Sequence, residues 1–358
     1  MKKIRALVVE DSLTIRKRIV EVLNADPEIE VIAEAVDGKT AIHLCQVLRP
    51  DVVTLDMVLP VMSGVAATEY IMAHCPTPVL IVSGSTQRRE LFQTYDALTA
   101  GALDVLEKPS NNIPDGEWEQ ELVQRVKLVS RIKVITHLRG RLHMPRLPDY
   151  PTVPGTVSSL RDDDYRVVGV GASTGGPSAF VEILRNLPPD FPLPILLVIH
   201  IGQAFGVAMA EWLDSQTSIR VSCARDGELL PPVGKPRVLL APPGQHMIVS
   251  GGRVRLTDEA ERFSCRPSVD VLFESLAREL PRRTIGCLLT GMGRDGAQGV
   301  LSIRQEGGRT IVQNEASSIV FGMPQEAIRI GGAEQILGIH EIAPALVALS
   351  KRAERGRK

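Results

Sequence analysis

Two α/β domains, each built on a doubly wound and mainly parallel sheet and joined by a linker, are what this sequence predicts. Three observations lead there. Apolar runs alternate with segments of helical period, the runs are continuous rather than alternating apolar with polar, and a proline-rich break interrupts the rhythm near mid-chain. A continuously apolar strand needs cover on both faces, and parallel strands crossed over by helices supply it. At 358 residues the chain exceeds one average domain and suits two, each large enough to bury its own core. The divisions fall at 1–125, 126–164 and 165–352.

In the first domain the strands are Ile4–Val9, Val31–Ala33, Val52–Leu55, Val79–Val82 and Leu103–Leu106. Helices separate them: one with Ile15, Ile19, Val22 and Leu23 on a single face, two that follow Gly38 and Gly64, and one near Arg89–Thr99. From Glu117 to Arg139 the spacing of Trp118, Leu122, Val126 and Val129 predicts one long helix with a solvated basic face. Pro145, Pro148, Pro151 and Pro154 then mark a semi-extended linker over about 140–164. In the second domain strands are expected at Val167–Val170, Ile195–Ile199, Arg237–Leu240 and Ile285–Leu289, with a hairpin between Met247 and Leu256. Helices follow Pro177, Ser268 and Asp295, and the basic tail Lys351–Lys358 reads as a frayed end.

Composition narrows the function. Hydrophobic residues at 44%, charged residues at 23% and a net charge of -1 give no global attraction to nucleic acid or acidic lipid. No recognition-helix pattern is present, so no nucleic-acid partner is expected, and no run is long enough for membrane insertion. The apolar stretch Ala6–Val9 is too short for a signal peptide. Five scattered cysteines without CxxC spacing argue against a disulfide framework and a structural zinc site. A reducing, cytoplasmic location is the expectation.

Parallel sheets carry their ligands at the carboxyl ends of the strands. In the first domain those positions hold Glu10, Asp11, Asp56, Ser83 and Lys108. Three carboxylates in one crevice repel each other, and a hard cation such as Mg²⁺ relieves the repulsion through oxygen ligands. Asp56 then suits a phosphoryl acceptor, Ser83 a hydrogen-bond donor to it, and Lys108 a point charge beside it. These residues resemble the receiver domain of two-component response regulators. Glu10-Asp11-Ser12, Asp56 with Leu59-Pro60 and Gly64, Val82-Ser83-Gly84 and Glu107-Lys108-Pro109 fall in order over the first ~125 residues. The resemblance implies a flavodoxin-like fold and phosphate transfer from a histidine kinase to Asp56. Val105 stands where receivers usually carry a Tyr or Phe.

The second domain opens with Val167–Pro177, VVGVGASTGGP, which places Ser173 in a GxSxG turn. Such a turn serves a nucleophile or a phosphate-binding loop, and five residues alone do not choose. A serine nucleophile needs a base and an orienting acid. His200 ends the strand Ile195–Ile199 and is the favoured base, with His246 a plausible pocket wall and His340 less well placed. Asp295 in TGMGRDG is the favoured acid, next to the N-terminus of the helix its own loop opens, while Asp226 and Asp270 suit a turn and a helix start. The order Ser, His, Asp differs from that of α/β-hydrolases.

Residues ~165–350 also resemble the catalytic domain of the CheB type of chemotaxis protein-glutamate methylesterase. Gly171–Gly176, His200, Asp226-Gly227, Ala241–Gly244 with His246-Met247, Arg266–Asp270 and Thr290–Gly293 with Asp295-Gly296 carry the likeness. Ile201-Gly202 stands where Met-Pro is the usual pair. The resemblance implies a Rossmann-like sheet, a Ser173–His200–Asp295 triad and an oxyanion donor at the Met292 N–H. It further implies hydrolysis of glutamate γ-methyl esters on methyl-accepting chemoreceptors, deamidation of glutamines, and no cofactor for the ester chemistry. The unphosphorylated receiver is expected to cover the Ser173 edge. The rival reading is a non-catalytic signalling adaptor, against which the three triad residues speak.

Overall fold

The computed structural model describes residues 2–84, 87–109, 116–132, 134 and 165–355. The linker expected over about 140–164 lies outside the described residues.

The first half runs β1 (Ile4–Val9), α1 (Leu13–Ala25), β2 (Ile29–Ala35), α2 (Gly38–Leu48), β3 (Val52–Leu55), α3 (Gly64–His74), β4 (Val79–Ser83), α4 (Arg88–Ala100), β5 (Asp104–Glu107) and α5 (Glu117–Val129). The strands form one parallel sheet in the order β2-β1-β3-β4-β5. Every residue of β3 and β4 is buried, including Thr54 and Ser83 among their otherwise apolar side chains. The order reverses between β1 and β3, which opens a crevice beyond their carboxyl ends.

The helix α5 stops at Val129, earlier than expected, and residues 133 and 135–139 of the expected helix lie outside the described residues. The amides of Arg131 and Ile132 bond back only three residues, to the carbonyls of Leu128 and Val129, and this tightened turn closes the helix. Its apolar stripe is buried as expected, but the basic face is not merely solvated. Arg125 pairs with Asp104 and Glu121 at 2.7 Å each, and Lys127 pairs with Asp26 and Glu28.

The second half runs β6 (Val167–Ala172), α6 (Gly176–Asn186), β7 (Ile195–Ile199), α7 (Gln203–Gln216), β8 (Val221–Cys223), β9 (Val238–Leu240), β10 (His246–Ser250), β11 (Arg253–Thr257), α8 (Val269–Glu279), β12 (Thr284–Leu288), α9 (Ala297–Gln305), β13 (Arg309–Gln313), α10 (Met323–Arg329), β14 (Gln335–Leu337) and α11 (Ile339–Arg355). Seven strands form a parallel sheet in the order β14-β13-β12-β6-β7-β9-β8. This is a Rossmann-like winding with an extra edge strand, and its switch point lies between β6 and β12. The strands β10 and β11 form the expected hairpin around Gly251 and Gly252, both at positive φ. The basic tail is not wholly frayed: α11 continues to Arg355, anchored upstream by buried Ile342, Leu346 and Leu349 at helical spacing.

The two halves meet where α4 packs on α6 and α7. The Tyr95 ring lies 5.1 Å from that of Trp212, and its hydroxyl donates to the carbonyl of Phe205. Trp212 Nε1 donates to Asp96 Oδ1 at 3.0 Å, and Ser178 Oγ donates to the Leu98 carbonyl at 2.8 Å. Both rings are buried, so the seam is a small apolar core edged by polar pairs.

Candidate active site

At the switch point of the first sheet, Glu10 follows β1, Asp56 follows β3 and Lys108 follows β5. Oxygen atoms of Glu10, Asp11 and Asp56 lie within 4.8 Å of one another. Lys108 Nζ reaches Asp56 Oδ2 at 2.9 Å and Glu10 Oε2 at 2.8 Å. Burial pushes both carboxyl groups above their ordinary pKa values, and the Lys108 hydrogen bonds only partly offset it. For Lys108 the balance is opposite: burial opposes its charge, but its bonds to Asp56 and Glu10 outweigh that and raise its pKa. Ser83 Oγ, at the end of β4, is buried and has no hydrogen-bond partner among the described residues. An orphaned hydroxyl beside crowded carboxylates fits a pocket made for a hard cation and a tetrahedral oxyanion.

The second sheet presents Ser173 after β6, His200 after β7 and Asp295 beyond β12. The strand ends are locked together. Ser173 N donates to the Thr290 carbonyl at 3.0 Å and His200 N to the Ala172 carbonyl at 3.1 Å. The turn admits no larger residues at its closest approaches. Gly175 has φ +80°, and a Cβ on Gly291 would fall 2.8 Å from Ser173 Cβ.

His200 Nε2 lies 2.8 Å from Asp295 Oδ2. Asp295 is 2% exposed and has its pKa lowered: burial works against the charge, but the bonds from His200, Ser268 and the Asp270 amide outweigh it. An ionised carboxylate only accepts, so the proton of this contact sits on Nε2 and leaves Nδ1 as the basic nitrogen. Burial opposes the His200 charge as well, yet Asp295 and the adjacent Cys265 raise its pKa to about 9.

The carboxylate of Asp295 is fully occupied. Its Oδ1 accepts from Ser268 Oγ at 2.7 Å and Asp270 N at 3.1 Å, and its Oδ2 from Val269 N at 2.7 Å besides His200. These amides belong to the first turn of α8. The helix that holds the charge is therefore α8, not α9, which its own loop opens, because α8 points its N-terminus across at the switch point.

Ser173, His200 and Met292 line one cavity of about 320 Å³. Met292 is 53% exposed, and among the described residues its amide has no hydrogen-bond partner. Ser173 Oγ and His200 face the same space without a hydrogen bond between them among the described residues. Such bonds often tighten only when substrate is bound. The opposite wall comes from the first half of the chain, with Asp104, Glu121, Gln124, Arg125 and Leu128. The first half of the chain thus stands over the Ser173 edge.

Other candidates fall elsewhere. His246 is not a pocket wall: it is fully buried, its Nδ1 accepting from Ser268 N at 3.1 Å and its Nε2 donating to the Ala260 carbonyl. It props the α8 cap behind the cavity. Asp226 is a turn residue that accepts from Leu256 N, and exposed His340 pairs with Glu182. Asp270 is wholly buried, accepts from Gly299 N at 2.6 Å, and has its pKa pushed up to about 6 by burial. Ser268 and Cys265 are not among the expected site residues: the sequence places Ser268 before a helix without relating it to Asp295, and nothing in local spacing marks a lone thiol.

A protein-family model described as response regulator receiver domain matches residues 6–114, and one described as CheB methylesterase matches residues 168–346. The protein-glutamate methylesterase/protein-glutamine glutaminase 2 of Anaeromyxobacter dehalogenans (strain 2CP-C) is 41% identical, over 98% of this chain and 98% of its own. The chain belongs to the CheB methylesterase family. A relative with the same printed name from Pseudomonas aeruginosa is 40% identical over 99% of this chain and 98% of its own length. Among solved structures, the Thermotoga maritima CheB methylesterase catalytic domain is 35% identical, with TM-score 0.49, and covers 52% of this chain and 98% of that one. Receiver domains use Mg²⁺ for phosphorylation, and among the described residues no helix is long and apolar enough to cross a membrane.

Proposed function

We propose that this chain is a cytoplasmic enzyme that hydrolyses glutamate γ-methyl esters, and deamidates glutamines, on methyl-accepting chemoreceptors, and that phosphorylation of Asp56 by a histidine kinase controls it. The observation that carries the reading is the His200 Nε2 to Asp295 Oδ2 bond of 2.8 Å, at the strand edge where Ser173 stands. The relatives' paired name, methylesterase and glutaminase, supports one site acting on both groups.

Ser173 Oγ attacks the ester carbonyl while His200 Nδ1 takes its proton, and the imidazolium is held by Asp295. The Met292 N–H donates to the developing oxyanion. His200 returns the proton to the leaving methanol, and water repeats the cycle to free the glutamate. With an amide the leaving group is ammonia.

In the receiver, Glu10, Asp11 and Asp56 would hold Mg²⁺, which when bound screens the charge of an incoming phosphoryl group. Asp56 accepts that group, Lys108 keeps its ammonium on a phosphoryl oxygen, and Ser83 Oγ gains the partner it lacks. Phosphorylation then shifts the population toward an arrangement in which α5 no longer stands over the cavity. Asp56→Asn is expected to abolish stimulation of methanol release by acetyl phosphate, and unchanged stimulation would remove the regulatory part of the reading.

The seam between α4 and α7 holds the covered arrangement. Tyr95→Ala takes a fully buried ring out of it, a change that costs about 3–5 kcal/mol in well-packed sites. The residue lies on the receiver side, so the Ser173 half stays intact. The unstimulated hydrolysis rate is expected to rise several-fold, read as methanol release without phosphodonor, with a lowered unfolding midpoint of the receiver half.

A further inference from the structure

We propose that His200, Cys265 and Asp295 form a binding site for a divalent cation of the Zn²⁺ class, and that its occupancy shuts off the hydrolytic site. A ring nitrogen of His200, Sγ of Cys265 and a carboxylate oxygen of Asp295 all lie within 4.8 Å of one another. Ligands at zinc bond lengths of about 2.0–2.3 Å in a tetrahedron are roughly 3.5 Å apart. The three donors close on an ion by moving on the order of 1 Å, within reach of the Cys265 side chain, which turns about one bond.

The donor set is chemically selective. Imidazole, thiolate and carboxylate suit zinc, and a sulfur ligand discriminates against Mg²⁺ and Ca²⁺. Nothing in the proposed hydrolysis uses a thiol, and the Cys265 thiol makes a weak hydrogen bond to the Phe263 carbonyl at 3.4 Å and stands against the His200 side chain. Cys265 and His200 line the cavity, so water can supply a fourth ligand. The carboxylate is already oriented by Ser268 Oγ, Val269 N and Asp270 N, the kind of outer support that ligating groups need. Of the nearby guanidinium groups, Arg262 is engaged by Glu274 and Arg294 stacks on Phe263 at 4.3 Å. The three ligands lie too far apart in sequence for any spacing motif to reveal them.

Binding involves no redox step. The thiol gives its proton to solvent, and the imidazolium gives up the proton that Nε2 shares with Asp295. Nε2 then coordinates the ion, and Asp295 Oδ2, freed of that bond, turns from the ring to the ion. The ring's remaining proton sits on Nδ1, the nitrogen that would receive the Ser173 proton, so the base is lost.

The test uses the full chain, stripped with chelator and kept in excess Mg²⁺ so that the receiver carboxylates are filled. Titration with Co²⁺ is expected to give a thiolate-to-cobalt charge-transfer band saturating at one equivalent, in the unaltered chain and in Ser173→Ala alike, and no band in Cys265→Ser or Cys265→Ala. This readout needs no hydrolysis, so it stands apart from the proposed activity. In the activity arm, Zn²⁺ is expected to lower ester hydrolysis at least about tenfold, reversibly by chelator, with each cysteine variant losing less than about twofold relative to its own metal-free rate. No band in the unaltered chain, a band of equal strength in both cysteine variants, or equal inhibition of all proteins would overturn the proposal.

Discussion

Ser173→Ala is expected to lower ester turnover by about 10⁴- to 10⁶-fold, the range seen when a serine nucleophile is removed. The change deletes one oxygen and leaves Cβ, which already fits against Gly291, so the fold should not alter. The measurement is methanol release from methyl-labelled receptor membranes, with thermal unfolding of both proteins as control. An adaptor that only docks on receptors would make the same amount of methanol with or without the hydroxyl, namely none above background. Equal release by the two proteins at matched stability would therefore refute hydrolysis at Ser173.

Asp295→Asn is expected to cost about 10⁴-fold, by the logic of a triad acid whose role is to hold the imidazole tautomer. The carboxylate now accepts four hydrogen bonds, from His200, Ser268 and two amides of α8. An amide in its place turns one end into a donor facing donors. The pH profile carries a second signature. With the His200 pKa raised to about 9, the free base appears as pH climbs through that value, so kcat/KM should rise across it. Without the charge of Asp295 the limb moves to lower pH, since burial alone depresses a histidine. Stability follows with a definite sign. A folded-state pKa above the unfolded value of about 6.5 stabilises below 6.5, and the contribution fades as pH rises through about 9. Denaturant midpoints at pH 6 and pH 10 should differ less in the asparagine variant. Both profiles are to be recorded with chelator present.

Much of this was legible in residue order. Ser173, His200 and Asp295, like Glu10, Asp56, Ser83 and Lys108, each end or follow a strand of a parallel sheet, most of them largely apolar. In a parallel sheet that position alone assigns a residue to one edge. What escaped depends on contacts distant in sequence. The end of α5 is set by a tightened turn at Arg131 and Ile132, not by a proline or glycine. The edge strands β8 and β14 have three residues each, too few for a period to register. His246 carries the same side chain whether it walls a cavity or props a cap, and only its bond from Ser268 N decides. The α8 cradle of Asp295 and the α5 wall of the cavity join segments that no local pattern relates.

The strand β5 has Asp104 at one end, bordering the cavity lined by Ser173, and Lys108 just past the other, against Asp56. At about 3.3 Å per residue the two ends are roughly 13 Å apart. Such a short span makes the two halves poor candidates for exchange by recombination. A receiver borrowed from another regulator brings a working acceptor for phosphate but not Asp104, Glu121 and Arg125 in register with the cavity. The hybrid is expected to take phosphate and to release methanol at the same rate with and without phosphodonor. One strand four residues long thus ties the phosphate-accepting crevice and the Ser173 cavity to the same half of the chain.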